Sequence, residues 1–377
     1  MRKYLNFQKL KVHLKEYMQN RNYKIVTFAE AINDAIFTAM KIDKKMVCYG
    51  LGVTDPKGIF GTTKGLNNFF GNQRVFDVPA SENALTGISI GLSLNKIRSV
   101  VTHQRLDFFI LALDQLFNGA AKWYYMFGSK KSVPITIRLI IGRGWGQGPT
   151  HSQNLQSIFS HIPGLKVVMP SNAKDAKGLL LSSIFDPNPV IFLEHRWLHG
   201  TTCKVPVKKY FTKIGSSKII NKGKDLTIVC MSYMVVEALK TLKHLRKFNI
   251  EPEIIDVRSI KPLDFNSISR SLKKTKRLLV LDTGAKTNSF ASEILALVSE
   301  NKYLNLKSKP VRLCMPDSPE PTSYKLTKYF YNNHISILEK ILEIFKKKYK
   351  KKYILQLKAN DKNKIHDTPG DWFKGPF

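Results

Sequence analysis

Short β-branched apolar runs recur along this chain with a helix-length segment between them, and that alternation most constrains its fold. The runs are KMVCYGLGV (45–53), SVVTHQ (99–104), VPITIRLII (133–141), LKVVMP (165–170) and PVIFLEH (189–195). Helical patterns lie between them near 28–42, 82–95, 108–127 and 173–185. Strands that are apolar throughout must be covered on both faces, which a parallel sheet with helices on either side achieves. Residues 201–224, rich in Lys, Gly, Thr and Ser, interrupt the pattern and are expected as a linker. The alternation restarts with LTIVCMS, a helix at 233–247, PEIIDVRSI, a helix at 265–274, RLLVLDTG, a helix at 288–300 and VRLCMP. The expected fold class is α/β: two doubly wound, mostly parallel-sheet domains at 24–200 and 225–345. A basic N-terminal extension (1–23) precedes them. A basic helix end, KKKYKKKY, and an aromatic tail (346–377) follow, with Trp372, Phe373 and Phe377 expected to dock on this chain or a partner.

At 377 residues and 43% hydrophobic content the chain can furnish two cores. No run of eighteen or more apolar residues occurs, so no membrane span is expected. The basic N-terminus lacks the apolar core of a secretory signal. Cys48, Cys203, Cys230 and Cys314 stand far apart without CxxC or zinc spacing, the pattern of reduced thiols. A cytoplasmic location follows, with the mitochondrial matrix as the alternative. The net charge of +33 comes from 48 Lys and 13 Arg spread along the chain rather than from Arg clusters interleaved with aromatics. Solvated lysine faces are therefore expected, not a specific nucleic-acid partner.

No GxxxxGK[ST] occurs, and GRGWGQGPTHSQ (142–153) alternates its glycines in a way that is not a dinucleotide fingerprint. It is a loop following a strand, the place where open parallel sheets bind ligands; His151 ends its glycine run. In RVFDVPASENALTGISIGLSL (74–94) one carboxylate, Glu82, opens a mostly small and apolar helix. An acid in a first turn can serve only to complement the helix end, for about 0.3–1 kcal/mol.

The order of these segments supplies a further reading. GIFGTTKGLNNFFGNQRVFDVPASENALTGISIGLSL, DFFILALDQLFNGAAKWYYMFG, VPITIR, THSQNLQSIFSHIPGLKVVMPSNAKDAKGLLLSSIFDPNPVIFLEH, DVRSIKPLD and PDSPEPTS follow one another over about 24–345. The series resembles the beta subunit of the thiamine-diphosphate-dependent 2-oxo acid dehydrogenases (pyruvate and branched-chain types), within the transketolase-like superfamily. The resemblance implies a transketolase-like pyrimidine-binding domain followed by a transketolase C-terminal-like domain. It places Glu82 beside the cofactor's aminopyrimidine ring, where an acid sharing a proton with the ring nitrogen helps the cofactor ionise; apolar surroundings would tune that acid. It places Phe108 on the ring face, Gln104 next to it and His151 near the reacting carbonyl. Ile135, Ser183, Ile184, Asp186 and Asn188 fall where the family holds a structural potassium ion, although Asp186 and Asn188 also suit an ordinary turn.

The chain departs from the family at two motifs and in a C-terminal extension longer than usual, and it lacks one motif of the superfamily. Gly50-Leu51-Gly52 stands where acids usually follow the first strand, so an acidic relay between active sites is not expected. HQRLDF (103–108) replaces the usual F-x-T-F, so His103 and Arg105 become candidates for contact with a polar or acidic substrate. No GDG is present, which implies that Mg²⁺ and the diphosphate are held mainly by an alpha subunit, with an α₂β₂ assembly and a lipoyl acyltransferase as acyl acceptor. The implied reaction is oxidative decarboxylation of a 2-oxo acid, the alternative being half of a split transketolase-like carboligase.

Overall fold

A computed structural model describes residues 22–142, 146–347, 351–362 and 368–373. Most of the N-terminal extension, Phe377 and part of the glycine loop lie outside the described residues. Fourteen strands are described: β1 (Tyr23–Thr27), β2 (Val47–Gly50), β3 (Val75–Asp77), β4 (Ser99–His103), β5 (Ile135–Ile141), β6 (Lys166–Val168), β7 (Val190–His195), β8 (Thr202–Pro206), β9 (Lys218–Asn221), β10 (Leu226–Cys230), β11 (Pro252–Asp256), β12 (Ser259–Lys261), β13 (Leu278–Ala285) and β14 (Val311–Met315).

A seven-stranded sheet runs in the order β12-β6-β7-β5-β4-β2-β3, and a five-stranded sheet in the order β14-β13-β10-β11-β9. All pairings in the first are parallel except β12 with β6; all in the second are parallel except β9 with β11. The central strands β2, β4, β5 and β7 are buried along their whole length, the condition that made them read as unbroken apolar runs.

Helix Phe28–Ile42 begins at a capping box: Glu30 N donates to Thr27 Oγ1 (3.2 Å), and Thr27 N donates to Glu30 Oε2 (2.8 Å). Its Phe28, Ile32 and Ile36 join Leu180 and Ile184 of helix Ala173–Ile184 in one core against the sheet. The segment expected as a helix at 108–127 starts earlier and is irregular. It runs through Leu106–Phe109, a 3₁₀ turn at Ile110–Ala112, a π turn at Gln115–Ala120 and Ala121–Met126.

Three sequence expectations need correction. The stretch 201–224 is no plain linker: β8 pairs antiparallel with β1, and β9 edges the second sheet. PEIIDVRSI is not one strand. Arg258, at φ +57°, turns the chain out of the second sheet after β11, and Ser259–Lys261 pairs with β6 of the first. Arg258 holds that turn by donating to Ser216 O (2.9 and 2.7 Å) and pairing with Asp175 (3.0 Å). Finally, KKKYKKKY does not extend the helix before it. Helix His334–Ile344 ends before Lys346, whose φ is +51°, and a separate helix spans Lys351–Lys362. That helix docks through buried Ile354 and the Tyr353 hydroxyl, 2.7 Å from His244 Nδ1.

Candidate active-site cleft

The carboxyl ends of β2, β4, β5 and β7 lie side by side, and the loops leaving them meet in a cleft of about 660 Å³. That is where ligands bind in open parallel sheets. The loop after β2 supplies Asp55, Lys57, Ile59 and Phe60; β4 leads into Gln104, Arg105 and Phe108; the loop after β5 supplies Gln147 and His151; Arg196 follows β7. Ile59 (φ +34°) and Phe60 (φ +57°) occupy backbone conformations that non-glycine residues seldom adopt. Such strain persists only where packing over-determines it, commonly at a site of function.

Close backbone packing dictates two glycines. A Cβ on Gly50 would sit 2.0 Å from Thr102 O, and one on Gly142 would sit 2.3 Å from His195 Nε2. At the departure from the acidic family pattern, a Cβ on Gly52 (φ +73°) would sit 2.5 Å from Gln104 Nε2, and Leu51 O accepts from Gln104 Nε2 at 3.3 Å.

Phe108 and His151 meet edge to face, centroids 5.3 Å apart at 89°. Phe108 keeps 36% of its surface exposed, an open aromatic face in the cleft. Thr150 Oγ1 lies 3.0 Å from His151 Nδ1. Asp107 pins the segment after His151 by accepting from Gln153 N (3.2 Å) and Nε2 (2.9 Å), which ties the histidine loop to the helix carrying Phe108.

Arg105 donates to Gly142 O (3.3 Å) and Gln147 Oε1 (2.5 Å). Burial lowers its pKa to about 10, so it remains a cation at neutral pH. His103 takes no part in the cleft wall. It is 2% exposed, its ring lies 4.9 Å from that of Phe109, and burial drives its pKa down to about 3. A neutral core imidazole corrects the expectation that it meets substrate: the alternation along β4 turns it away from the loop that follows.

Glu82 opens helix Glu82–Leu94 and is 8% exposed. Its carboxylate makes no hydrogen bond or ion pair among the described residues, and its carbonyl accepts from Thr86 Oγ1 at 3.0 Å. Glu82 is not part of the cleft lining, but its helix packs on the Leu106–Ala112 segment that carries Phe108. The expectation of an apolar environment holds on one side only. Leu85 and Ile90 are buried, whereas Ala84, Ile88 and Leu94 face out.

The turn assigned to potassium is already bonded from within. Ile184 O and Asp186 O accept from Arg98 Nη1 (3.1 and 3.2 Å), and Ser183 O accepts from Asp186 N (3.2 Å). Asp186 Oδ2 pairs with Lys166 Nζ (2.6 Å), while its Oδ1 accepts from Asn188 N (2.9 Å). Fixed cations supply the charge this turn needs, so these residues do not fit a dedicated potassium cage. Ile135 lies at the start of β5 and is buried in the sheet.

Sequence reasoning passed over Arg196 and the pair beneath it. Arg196 lies over the Phe60 ring at 4.1 Å and the Phe373 ring at 5.2 Å; burial first, then nearby Arg105, lowers its pKa to about 10. Below, Arg138 Nη2 meets Glu194 Oε1 at 2.5 Å with both side chains fully buried, and burial raises the Glu194 pKa. The available signal was EHR at the carboxyl end of a parallel strand. The tail reaches this strand end: Phe373 is buried, and Trp372 Nε1 donates to Trp197 O at 2.9 Å.

Residues 24–200 match the family "Transketolase, pyrimidine binding domain" and residues 215–337 match "Transketolase, C-terminal domain". The chain is 39% identical over 303 residues to the acetoin:2,6-dichlorophenolindophenol oxidoreductase subunit beta of Cupriavidus necator, covering 78% of this chain and 89% of that one. It is 35% identical over 322 residues to the pyruvate dehydrogenase E1 component subunit beta of Bacillus subtilis, covering 84% and 99%. A solved "Split gene transketolase, inactive beta4 tetramer" superposes with a TM-score of 0.68 over 86% of this chain and 99% of that one, at 17% identity, a likeness of fold. The chain therefore belongs to the beta subunits of the thiamine-diphosphate-dependent 2-oxo acid dehydrogenases, within the transketolase-like superfamily.

Proposed function

We propose that the chain is the pyrimidine-binding half of a 2-oxo acid dehydrogenase component that decarboxylates a 2-oxo acid and passes the acyl group to a lipoyl arm on an acyltransferase. The observation that carries this is the open Phe108 face beside His151 in the cleft, with the unpartnered buried acid Glu82 on the adjoining helix. These residues fit the aminopyrimidine of thiamine diphosphate: Phe108 offers its ring face, Gln104 a polar contact and Glu82 a proton. The bound cofactor supplies an electron sink for decarboxylation. His151, tethered at the cleft mouth, is the candidate to hold or deliver a proton at the substrate carbonyl. Magnesium and the diphosphate are assigned to an alpha subunit because the sequence has no GDG. An α₂β₂ assembly and a cytoplasmic or matrix location accompany this reading. Potassium is not included, since Arg98 and Lys166 already meet the Ile184 and Asp186 oxygens.

The test is thiamine-diphosphate-dependent CO₂ release by the complex purified with its partner subunit, across a panel of 2-oxo acids with an artificial electron acceptor. Release is expected. Aldehyde-dependent ketol formation without release from any 2-oxo acid would move the assignment to a carboligase.

A further inference from the structure

We infer that Arg105 and Arg196 form a subsite for a second anionic group, a carboxylate or phosphate, carried by the substrate of this cleft. The inference deepens the dehydrogenase assignment and rests on it for the location of the reacting centre.

The two guanidinium groups come from the ends of different strands, β4 and β7, yet both line the same cleft and lie close enough to repel one another. Each is built in rather than draped on the surface. Arg105 is held by Gly142 O and Gln147 Oε1; Arg196 is flanked by the rings of Phe60 and Phe373. Planar, pre-oriented guanidinium groups match the oxygens of carboxylate and phosphate.

Two nearby carboxylates are not among the residues that line the cleft: Glu194, which attracts Arg196, is bonded to Arg138, and Asp107, which attracts Arg105, is bonded to Gln153 through Oδ1. Of the cleft's charged lining residues, Lys57 adds a third, exposed cation and Asp55 is the sole carboxylate among the described residues. An anion placed between the arginines would relieve their repulsion. The cavity, about 660 Å³, lies within the range of a whole small ligand, about 300–1,000 Å³.

The experiment uses the assembled complex loaded with cofactor. It compares kcat/KM for pyruvate, for 2-oxoglutarate with its shorter and longer homologues, and for phosphate-bearing 2-oxo acids or ketoses. A doubly anionic compound is expected to exceed pyruvate by about 100-fold, a discrimination within reach of matched polar contacts. Whether the dicarboxylic or the phosphorylated series wins identifies the group. In Arg105→Thr the ratio should fall toward one, with Arg105→Lys intermediate, while the circular dichroism spectrum stays native.

Calorimetric binding of glutarate, butyrate and inorganic phosphate to the same complexes provides a readout independent of turnover. Glutarate or phosphate binding that Arg105→Thr weakens at least tenfold supports the subsite even if no 2-oxo acid is consumed, in which case only the dehydrogenase assignment fails. Pyruvate turnover at or above that of every dianion, with anion binding unmoved by Arg105→Thr, overturns the subsite while that assignment stands. So does lost thiamine diphosphate affinity in Arg105→Thr with selectivity unchanged.

Discussion

The two sheets of this molecule share one construction and differ in where their buried charge collects. In the second, buried polar groups are spread out and bonded: Thr227 Oγ1 bonds Ser271 Oγ (2.7 Å) and Thr275 Oγ1 (2.6 Å), and Asp282 accepts from Gly284, Ala291 and, across the domains, Gln156. In the first, the carboxyl edge gathers Arg105, Arg138, Arg196, Glu194 and Glu82, all buried, together with the strained pair Ile59 and Phe60. Its adjoining helices also leave Ile88 (52% exposed), Leu111 and Tyr125 (87% exposed) facing out. What separates the two is where the charge collects: at one edge of the first sheet buried arginines and a strained turn come together, the arrangement expected of a binding site.

The largest effect that would break this contrast concerns Glu82. Glu82→Gln keeps shape and burial but removes the proton, so turnover should fall by about 10²- to 10⁴-fold with the melting temperature little changed. Steady-state kinetics of the assembled complex decide this, and near-normal turnover would strip Glu82 of its role.

Next in size is the ion pair under the cleft. Arg138→Met leaves Glu194 buried without its partner and should cost about 3–5 kcal/mol, read by denaturant unfolding. Arg138→Met with Glu194→Met should recover most of that loss, because the penalty belongs to the stranded charge. A single variant as stable as the parent would refute the account.

A smaller effect is expected on the outer face of the helix that Glu82 opens. Ile88→Lys should alter the chain's own stability by less than about 0.5 kcal/mol, since nothing described covers that side chain. It should nevertheless weaken assembly with the partner subunit at least tenfold, visible by sedimentation. Unimpaired assembly would show the face to be free surface.

A pH effect sharpens the comparison at the junction of the two sheets. Asp256 of the second accepts from Ser171 Oγ of the first at 2.5 Å, and burial raises its pKa to about 7. The folded chain thus holds a proton there that the unfolded chain releases near pH 4. Stability should decline as pH rises from about 4 to 7, by at most about 1.4 kcal/mol per pH unit from this group. Asp256→Asn keeps the hydrogen bond from Ser171 and should flatten that slope; an unchanged slope would exclude Asp256 as its source.

How much was legible in the sequence varied with the range of the interaction. Helices Phe28–Ile42, Glu82–Leu94 and Ala173–Ile184 lie within a residue of their expected bounds, and the buried central strands within three, because period and capping act over a few residues. Glu82, Gln104, Phe108 and His151 stand in motifs whose order along the chain is enough to nominate them. Three-dimensional packing alone decided that His103 faces the core, that Arg258 hands Ser259–Lys261 to the other sheet, and that Arg98 and Lys166 fill the turn expected to hold potassium. It alone put Arg196 and Arg105 in one cleft and set Phe373 beside Arg196. The sequence by itself determined the elements, the two-sheet plan and the family, since these follow from local periodicity and motif order. Only the tertiary structure decided which charges share the cleft, because residues 91 positions apart acquire a common electrostatic environment only once β4 and β7 stand in one sheet.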